Sequence, residues 1–249
     1  MMLDFSNMNH RVMYQHKYFE PELTRTIHDV LRSGDVFVDI GANVGWHSLT
    51  VLAERRDIEM IYAFEPSART FKLLREGIEA NACAGRCEAR RIALSDKKGL
   101  ARFKTFPELG SLHSSLYPLG DLAFEEEEVQ LETLDSQARS FVAPPAIIKC
   151  DVEGSEMDIL KGAGELLSGK HAAPPIWFLE ANYETSAMAG YFPWQMIDFA
   201  RSYAPYKGYS IREGRIVPLP DQKALRHGDT LILAVPDFHR DRFSNEGVA

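Results

Sequence analysis

The feature that most constrains this chain is a regular alternation of short apolar runs with helical stripes. Val36 to Ile40, Met60 to Phe64, Ala146 to Cys150 and Ile176 to Ala181 are each bounded by turn residues and suit strands buried on both faces. Between them lie segments with helical spacing: Leu23, Ile27, Val30 and Leu31 in 19–32, Leu49, Leu52 and Ala53 in 45–56, and Phe71, Leu74 and Ile78 after Pro66. The pattern predicts further helices over 155–167 and 193–204, a third strand near 88–93, and closing strands at 208–212 and 230–235. Repeated strand-helix units give an α/β fold, a mostly parallel sheet with helices on both faces. Ligands of such sheets bind at the carboxyl ends of the strands, where strand order reverses.

The middle of the chain breaks the alternation. Residues 99–106 and 128–134 read as strands, and the stretch between them holds Gly110, Ser111, His113, Ser114, Ser115, Pro118 and Gly120. The expectation is a small β insertion around 99–134, placed before the fourth main strand, with Glu125 to Glu128 as a solvated loop. The predicted layout is an N-terminal helical lead-in over 1–34 and one domain over 35–249.

Asp39-Ile40-Gly41-Ala42-Asn43-Val44-Gly45 follows the first strand directly. Its glycines allow a tight turn and close backbone approach to a ligand, and the next helix offers free N–H groups. Glu65 ends the second strand, 20 residues after Gly45, where a carboxylate can accept hydrogen bonds from two ribose hydroxyls. A dinucleotide site wants G-x-G-x-x-G; here Asn43 and Trp46 stand in place of its second and third glycines. A nicotinamide-dependent oxidoreductase is therefore the weaker alternative, and a binding module without catalysis is another. A site with no pyrophosphate to cradle tolerates this loop, and Asp39 is then placed to take the cationic methionine end of S-adenosylmethionine.

Six blocks make the chain resemble the FkbM-type methyltransferases: FVDIGANVGWHSL (37–49), AFEPSARTFKLL (63–74), ALSDKKG (93–99), LETLD (131–135), IIKCDVEGSEMDILKGA (147–163) and WFLEA (177–181). They stand in the family's order over residues 18–181. The resemblance implies a seven-stranded Rossmann-like fold and transfer of a methyl group from S-adenosylmethionine, typically to oxygen on sugars, polyketides or related natural products. It implies that Asp39, Gly41 and Asn43, within the loop closed by Gly45, contact the methionine part. Glu65 holds the ribose, and Ala93, Ser95 and Asp96 lie by the adenine. Trp46 and His47 depart from the family's usual residues at the start of this helix.

Chemistry residues are expected after the fourth and fifth strands. Asp151 leaves the fourth strand and is the first candidate on the acceptor side, with Glu153 and Glu156 on the next turn. The last two also suit a helix N-terminus for electrostatic reasons alone. Glu180 and Asn182 follow the fifth strand. With Asp151 they supply hard oxygen donors for Mg²⁺ or another divalent cation. A metal-free site with Asp151 or Glu180 as general base is the competing arrangement. His113 is a further candidate base in the inserted loop. Tyr183, Tyr191, Phe192 and Trp194 are candidates for an acceptor wall.

Composition narrows the partners. The net charge of −8 disfavours nucleic acid, and no apolar run reaches the roughly 20 residues needed to span a bilayer. The polar N-terminus lacks a signal-peptide pattern, so a cytoplasmic protein acting on a small-molecule or glycan acceptor is expected. The three cysteines, Cys83, Cys87 and Cys150, suit packing rather than a disulfide framework.

Overall fold

The computed structural model describes residues 1–5, 8–105, 114–116, 124–221 and 224–243. Two helices open it, α1 (Met8–His16) and α2 (Pro21–Val30). Pro21 stands at the start of α2, where its fixed φ suits the first turn, and Thr26, Ile27 and Val30 face inward. Then come β1 (Val36–Ile40), α3 (Trp46–Glu54), β2 (Met60–Phe64), α4 (Ala68–Ala80) and β3 (Cys87–Arg90). Pro66 lies outside α4: Ser67 is the cap, its side chain accepting from the Thr70 N–H.

After β3 the chain leaves the main sheet. β4 (Ala93–Leu94), β5 (Gly99–Thr105), β6 (Ser114–Ser115) and β7 (Glu125–Glu132) form a separate sheet in the order β4-β7-β5-β6. Glu125 to Glu128 are therefore strand, not loop. They pair antiparallel with Arg102 to Thr105. Arg102 reaches Glu126 at 3.0 Å and Arg91 reaches Glu127 at 2.7 Å. Cross-strand cations lower the repulsion that four adjacent glutamates would otherwise suffer. Ala93, Phe103, Val129 and Leu131 form this sheet's own small core.

The alternation then resumes through α5 (Leu134–Ala138), β8 (Ile147–Cys150), α6 (Glu156–Lys161), α7 (Gly164–Leu167), β9 (Ile176–Ala181), α8 (Tyr183–Met188) and α9 (Gln195–Arg201). The single helix expected over 155–167 is two. A Cβ at Gly162 would lie 2.1 Å from the Ser95 carbonyl, so the chain turns there against β4's exit. β10 (Lys207–Arg212), β11 (Arg215–Pro218), β12 (Asp229–Ala234), α10 (Pro236–His239) and a 3-10 turn (Arg240–Arg242) end the described chain.

The main sheet has eight strands, ordered β11-β10-β12-β9-β8-β1-β2-β3. It has one strand more than expected, because β10 and β11 make a hairpin through the left-handed Glu213 and Gly214. β3, β2, β1, β8 and β9 run parallel, and β12 turns antiparallel beside β9. All five residues of β1 and all four of β8 are buried. Their side chains alternate between two cores. Val36, Val38, Ile40 and Ile148 face one, while Phe37 and Ile147 face the other. Strand order reverses between β1 and β8, and the functional residues gather at the carboxyl ends there.

Candidate functional site

A cleft opens over the ends of β1, β2 and β8, with about 810 Å³ of free space once the open solvent at its mouth is counted. Its floor is the loop after β1. Gly41 (φ +70°), Asn43 (φ +52°) and Gly45 (φ +85°) are all left-handed. The N–H groups of Gly41 and Ala42 both donate to the Phe64 carbonyl, at 3.0 and 2.9 Å, which ties this loop to the end of β2. At Gly41 a Cβ would lie 1.9 Å from the Asp151 carbonyl oxygen, so only glycine lets the two loops touch.

Glu65 is buried beside this loop. Its Oε2 accepts from the Asn43 N–H at 3.0 Å and its Oε1 from the Ser67 N–H at 2.9 Å. Burial pushes its carboxyl pKa up to about 7, against the lowering effect of those two bonds and of Lys149. A carboxylate oxygen takes two hydrogen bonds, so each keeps room for one more from a ligand.

Asp39 stands elsewhere than expected. It is fully buried at 0% exposure and is not among the residues lining the cleft. Its Oδ2 accepts from the Ser48 hydroxyl at 2.6 Å and the Ser48 N–H at 3.2 Å, and its Oδ1 lies 3.7 Å from Lys149 Nζ. It braces the start of α3 from beneath. Gly41, Asn43, Glu65, Ala93, Asp151 and Glu153 do line the cleft, whereas Gly45, Ser95, Glu180 and Asn182 do not. Gly45 packs against Leu74 and Leu49, and the Ser95 backbone packs against Gly162.

Lys149 is the buried cation of the site. Its Nζ donates to the Gly41 carbonyl at 3.2 Å and lies 3.3 Å from Asp151 Oδ2. Burial alone would lower its pKa, but the carboxylates of Asp151, Asp39 and Glu20 outweigh it and hold the ammonium above its ordinary value. The Asp151 side chain, 29% exposed, is the carboxylate of this pair that reaches the open cleft.

The carboxylates beyond Asp151 are crowded. Glu153 is buried in a left-handed conformation (φ +52°), and Asn182 Nδ2 approaches it at 3.4 Å. Glu156 is spent on structure. It accepts from the Val152 and Gly154 N–H groups, both at 3.1 Å, and from the Tyr191 hydroxyl at 2.8 Å, with burial pushing its pKa up to about 7. Tyr191 is thus a strut and not an open acceptor wall, while Phe192 stacks on Trp194 with centroids 6.0 Å apart. Burial, then the charges of Asp151, Glu153, Glu156 and Glu20, push Glu180 up to about 10, and its buried Oε2 has no hydrogen-bond partner.

This donor chemistry does not fit the divalent cation. Asn182 Oδ1 caps α8 through the Glu184 and Thr185 N–H groups, at 3.1 and 3.2 Å. Asp151 is paired with Lys149. Among the described residues no three His, Cys, Asp or Glu side chains form a metal-holding group. His113 lies outside the described residues.

The cleft also has walls that the sequence reading missed. Met13 and Phe19 come from the N-terminal segment, Trp46 and His47 from the start of α3, and Phe103 and Leu116 from the small sheet. No local motif marks Met13 or Phe103, since each reads as an ordinary core residue. Trp46 and His47 carried a signal, their departure from the usual residues of the resembled family.

Comparison with known proteins adds three findings. The model of the FkbM methyltransferase domain matches residues 39–211. The chain is 29% identical over 161 residues to 31-O-demethyl-FK506 methyltransferase FkbM of Streptomyces tacrolimicus, covering 53% of this chain and 60% of that one. It is 26% identical over 144 residues to hexuronic acid methyltransferase AglP of Haloferax volcanii, covering 57% and 56% respectively. It therefore spans only about three fifths of the length of these relatives. The crystal structure of a methyltransferase FkbM from Methylobacillus flagellatus KT shares the fold, with a TM-score of 0.53, 18% identity, and coverage of 82% of this chain and 44% of that one.

Proposed function

We propose that this chain, which belongs to the FkbM methyltransferase family, transfers a methyl group from S-adenosylmethionine to a hydroxyl of a small-molecule or glycan acceptor. The observation that carries this is Glu65. It is a buried carboxylate at the end of β2, fixed by one backbone N–H on each oxygen, lining the cleft and keeping acceptor capacity on both oxygens. That is the equipment for the two hydroxyls of a ribose. Pro66, Ile92, Ala93, Phe103 and Leu116 line the cleft with apolar surface suited to the adenine. Ser95 and Asp39 support the walls from behind.

S-adenosylmethionine supplies an electrophilic methyl group on a sulfonium. The protein must bring the acceptor oxygen in line with it and remove the hydroxyl proton. Asp151 is placed to take that proton, as the carboxylate that leaves β8 into the cleft. Lys149 fixes it against the Gly41 loop. Glu153 flanks it, and Glu180 stands behind. An oxygen acceptor suits both relatives, one named for an O-demethyl compound and the other for a hexuronic acid. The donor set favours a metal-free base. Among the described residues no helix is long and apolar enough to cross a membrane.

Calorimetric titration with S-adenosylhomocysteine tests the assignment. Micromolar binding is expected, weakened at least tenfold in Glu65→Ala, a loss of about 1.4 kcal/mol or more. Absence of binding by a wild type folded by circular dichroism would overturn it.

A further inference from the structure

Met13 and Phe19 precede the span that the family model matches, yet they wall the cleft. Met13 is 3% exposed and Phe19 partly buried, and both line it. Glu20 comes next; it does not itself line the cleft but lies between Phe19 and His47, which do, in a left-handed conformation (φ +43°, ψ +59°) that costs a non-glycine residue energy. Such strain persists where surroundings hold it, and it gathers at ligand clamps. Here His47 does the holding. Its Nε2 lies 2.9 Å from Glu20 Oε2, while its Nδ1 faces the Thr24 hydroxyl at 3.4 Å. The same hydroxyl accepts from Trp46 Nε1 at 3.1 Å. His47 and Trp46 themselves line the cleft.

This deepens the proposed function and rests on it. With the ribose on Glu65 at β2 and the adenine against the β4–β5 side, the amino-acid tail of the cofactor runs the other way, across β1 toward β8. That tail ends in an ammonium, which needs a carboxylate. Asp39 is walled off at 0% exposure: Ser48 holds its Oδ2, and its Oδ1, without a hydrogen-bond partner, faces Lys149 at 3.7 Å rather than the cleft. We infer that Glu20, held by His47, is the carboxylate that receives the cofactor's α-ammonium, so that the N-terminal segment completes the cofactor site.

Three facts support it. Glu20 acts electrostatically on both Lys149 and Glu180, so its charge is felt at β8 and at β9. Its side chain is 36% exposed, against 0% for Asp39. Although burial raises its pKa, the bond and charge of His47 and the charge of Lys149 outweigh that, so it is ionised at neutral pH.

Two probes separate the tail from the nucleoside. S-adenosylhomocysteine carries the ammonium and carboxylate, and 5′-methylthioadenosine carries neither. Glu20→Gln is expected to weaken the first at least tenfold and leave the second within twofold, while Glu65→Ala weakens both. Removing a negative charge would strengthen any contact to the tail's carboxylate, so a selective loss reports the ammonium. His47→Gln, which loosens Glu20 without touching it chemically, should give the same selective pattern with a smaller loss. It also serves if Glu20→Gln fails to fold by thermal melt. Equal losses on the two probes, or no loss on either, would overturn the inference. So would a selective loss in Asp151→Asn with Glu20→Gln silent, which would give the ammonium to Asp151. If the wild type binds neither probe, the cofactor assignment falls first and this falls with it.

Discussion

The two ends of the cleft are built on opposite terms. At the β1–β2 end, one backbone N–H meets each oxygen of Glu65, and Gly41 and Ala42 both donate to Phe64. The geometry is single-valued before any ligand arrives. At the β8–β9 end, Asp151, Glu153, Glu156 and Glu180 crowd together with Lys149 as the buried cation beside them. One buried carboxyl oxygen of Glu180 has no partner, and the group keeps its proton far above the ordinary range. The first end is organised by backbone donors, while the second crowds buried carboxyl groups of which Glu156 and Asp151 have fixed partners and Glu180 keeps an unpartnered oxygen. A site that binds one constant cofactor and adapts to varied acceptors would be expected to divide in this way. The shared side benefits from preorganisation, whereas the other keeps titratable groups ready for proton transfer.

The harshest way to break the division is at the contact that joins the halves. Gly41→Ala puts a methyl group 1.9 Å from the Asp151 carbonyl oxygen and demands φ near +70° of an alanine. One loop must move. A destabilisation of about 3 to 5 kcal/mol is expected in urea denaturation. Binding of S-adenosylhomocysteine should fall even where the fold survives. A loss under about 1 kcal/mol would mean that the two loops slide past each other freely, and the ends would not be mechanically coupled.

The same division decides what the sequence could reveal. Gly41, Asn43 and Glu65 were legible because local rules place them: a strand, a left-handed turn, a carboxylate at the next strand's tip. The parallel core strands were legible for the same reason. Asp39 was misplaced because its direction depends on which face of β1 its side chain takes, and Ser48 and Lys149 fix that from two other segments. Glu125 to Glu128 read as a loop because their cations sit on β5 and in the β3–β4 turn, far away in sequence. Met13, Phe19 and Phe103 enter the cleft through tertiary packing and carry no local pattern. The charge state of Glu180 is set by residues from three separate segments, and a linear reading has no access to it.

A middling effect sharpens the β1–β2 side. Glu65 has a pKa of about 7, raised from the usual carboxyl value by burial. Ribose hydroxyls donate to the ionised form, so binding must drive the proton off. The affinity for S-adenosylhomocysteine should therefore rise about tenfold from pH 6 to pH 8, as the ionised fraction of a group with this pKa does. The Glu65→Gln profile should be flat over that window, though weaker. For the unliganded protein the sign is opposite. A raised carboxyl pKa means that the native state holds the proton longer, so this group's contribution to stability falls as pH climbs from the unfolded value to about 7. A wild-type affinity independent of pH would show that Glu65 is already ionised, and that its backbone donors dominate its burial.

The least disruptive substitution tests the other end. Glu180 is held neutral, with a pKa of about 10 that arises from burial and then from Asp151, Glu153, Glu156 and Glu20. Glutamine is also neutral and nearly the same shape. Near pH 4, where the unfolded glutamate is also largely protonated, Glu180→Gln should change stability by less than about 1 kcal/mol. As pH rises, the unfolded wild type gains from an ionised glutamate while the folded state still holds the proton. The wild type should lose stability against the variant steadily between the unfolded carboxyl pKa and about 10. Denaturation midpoints of both proteins at pH 6, 7.5 and 9 read this out directly. A gap that stays constant over that range would mean that Glu180 is ionised in the native state and finds a cation for its unpartnered oxygen. The acceptor end would then be organised like the cofactor end, by fixed partners, and the contrast between the two would disappear.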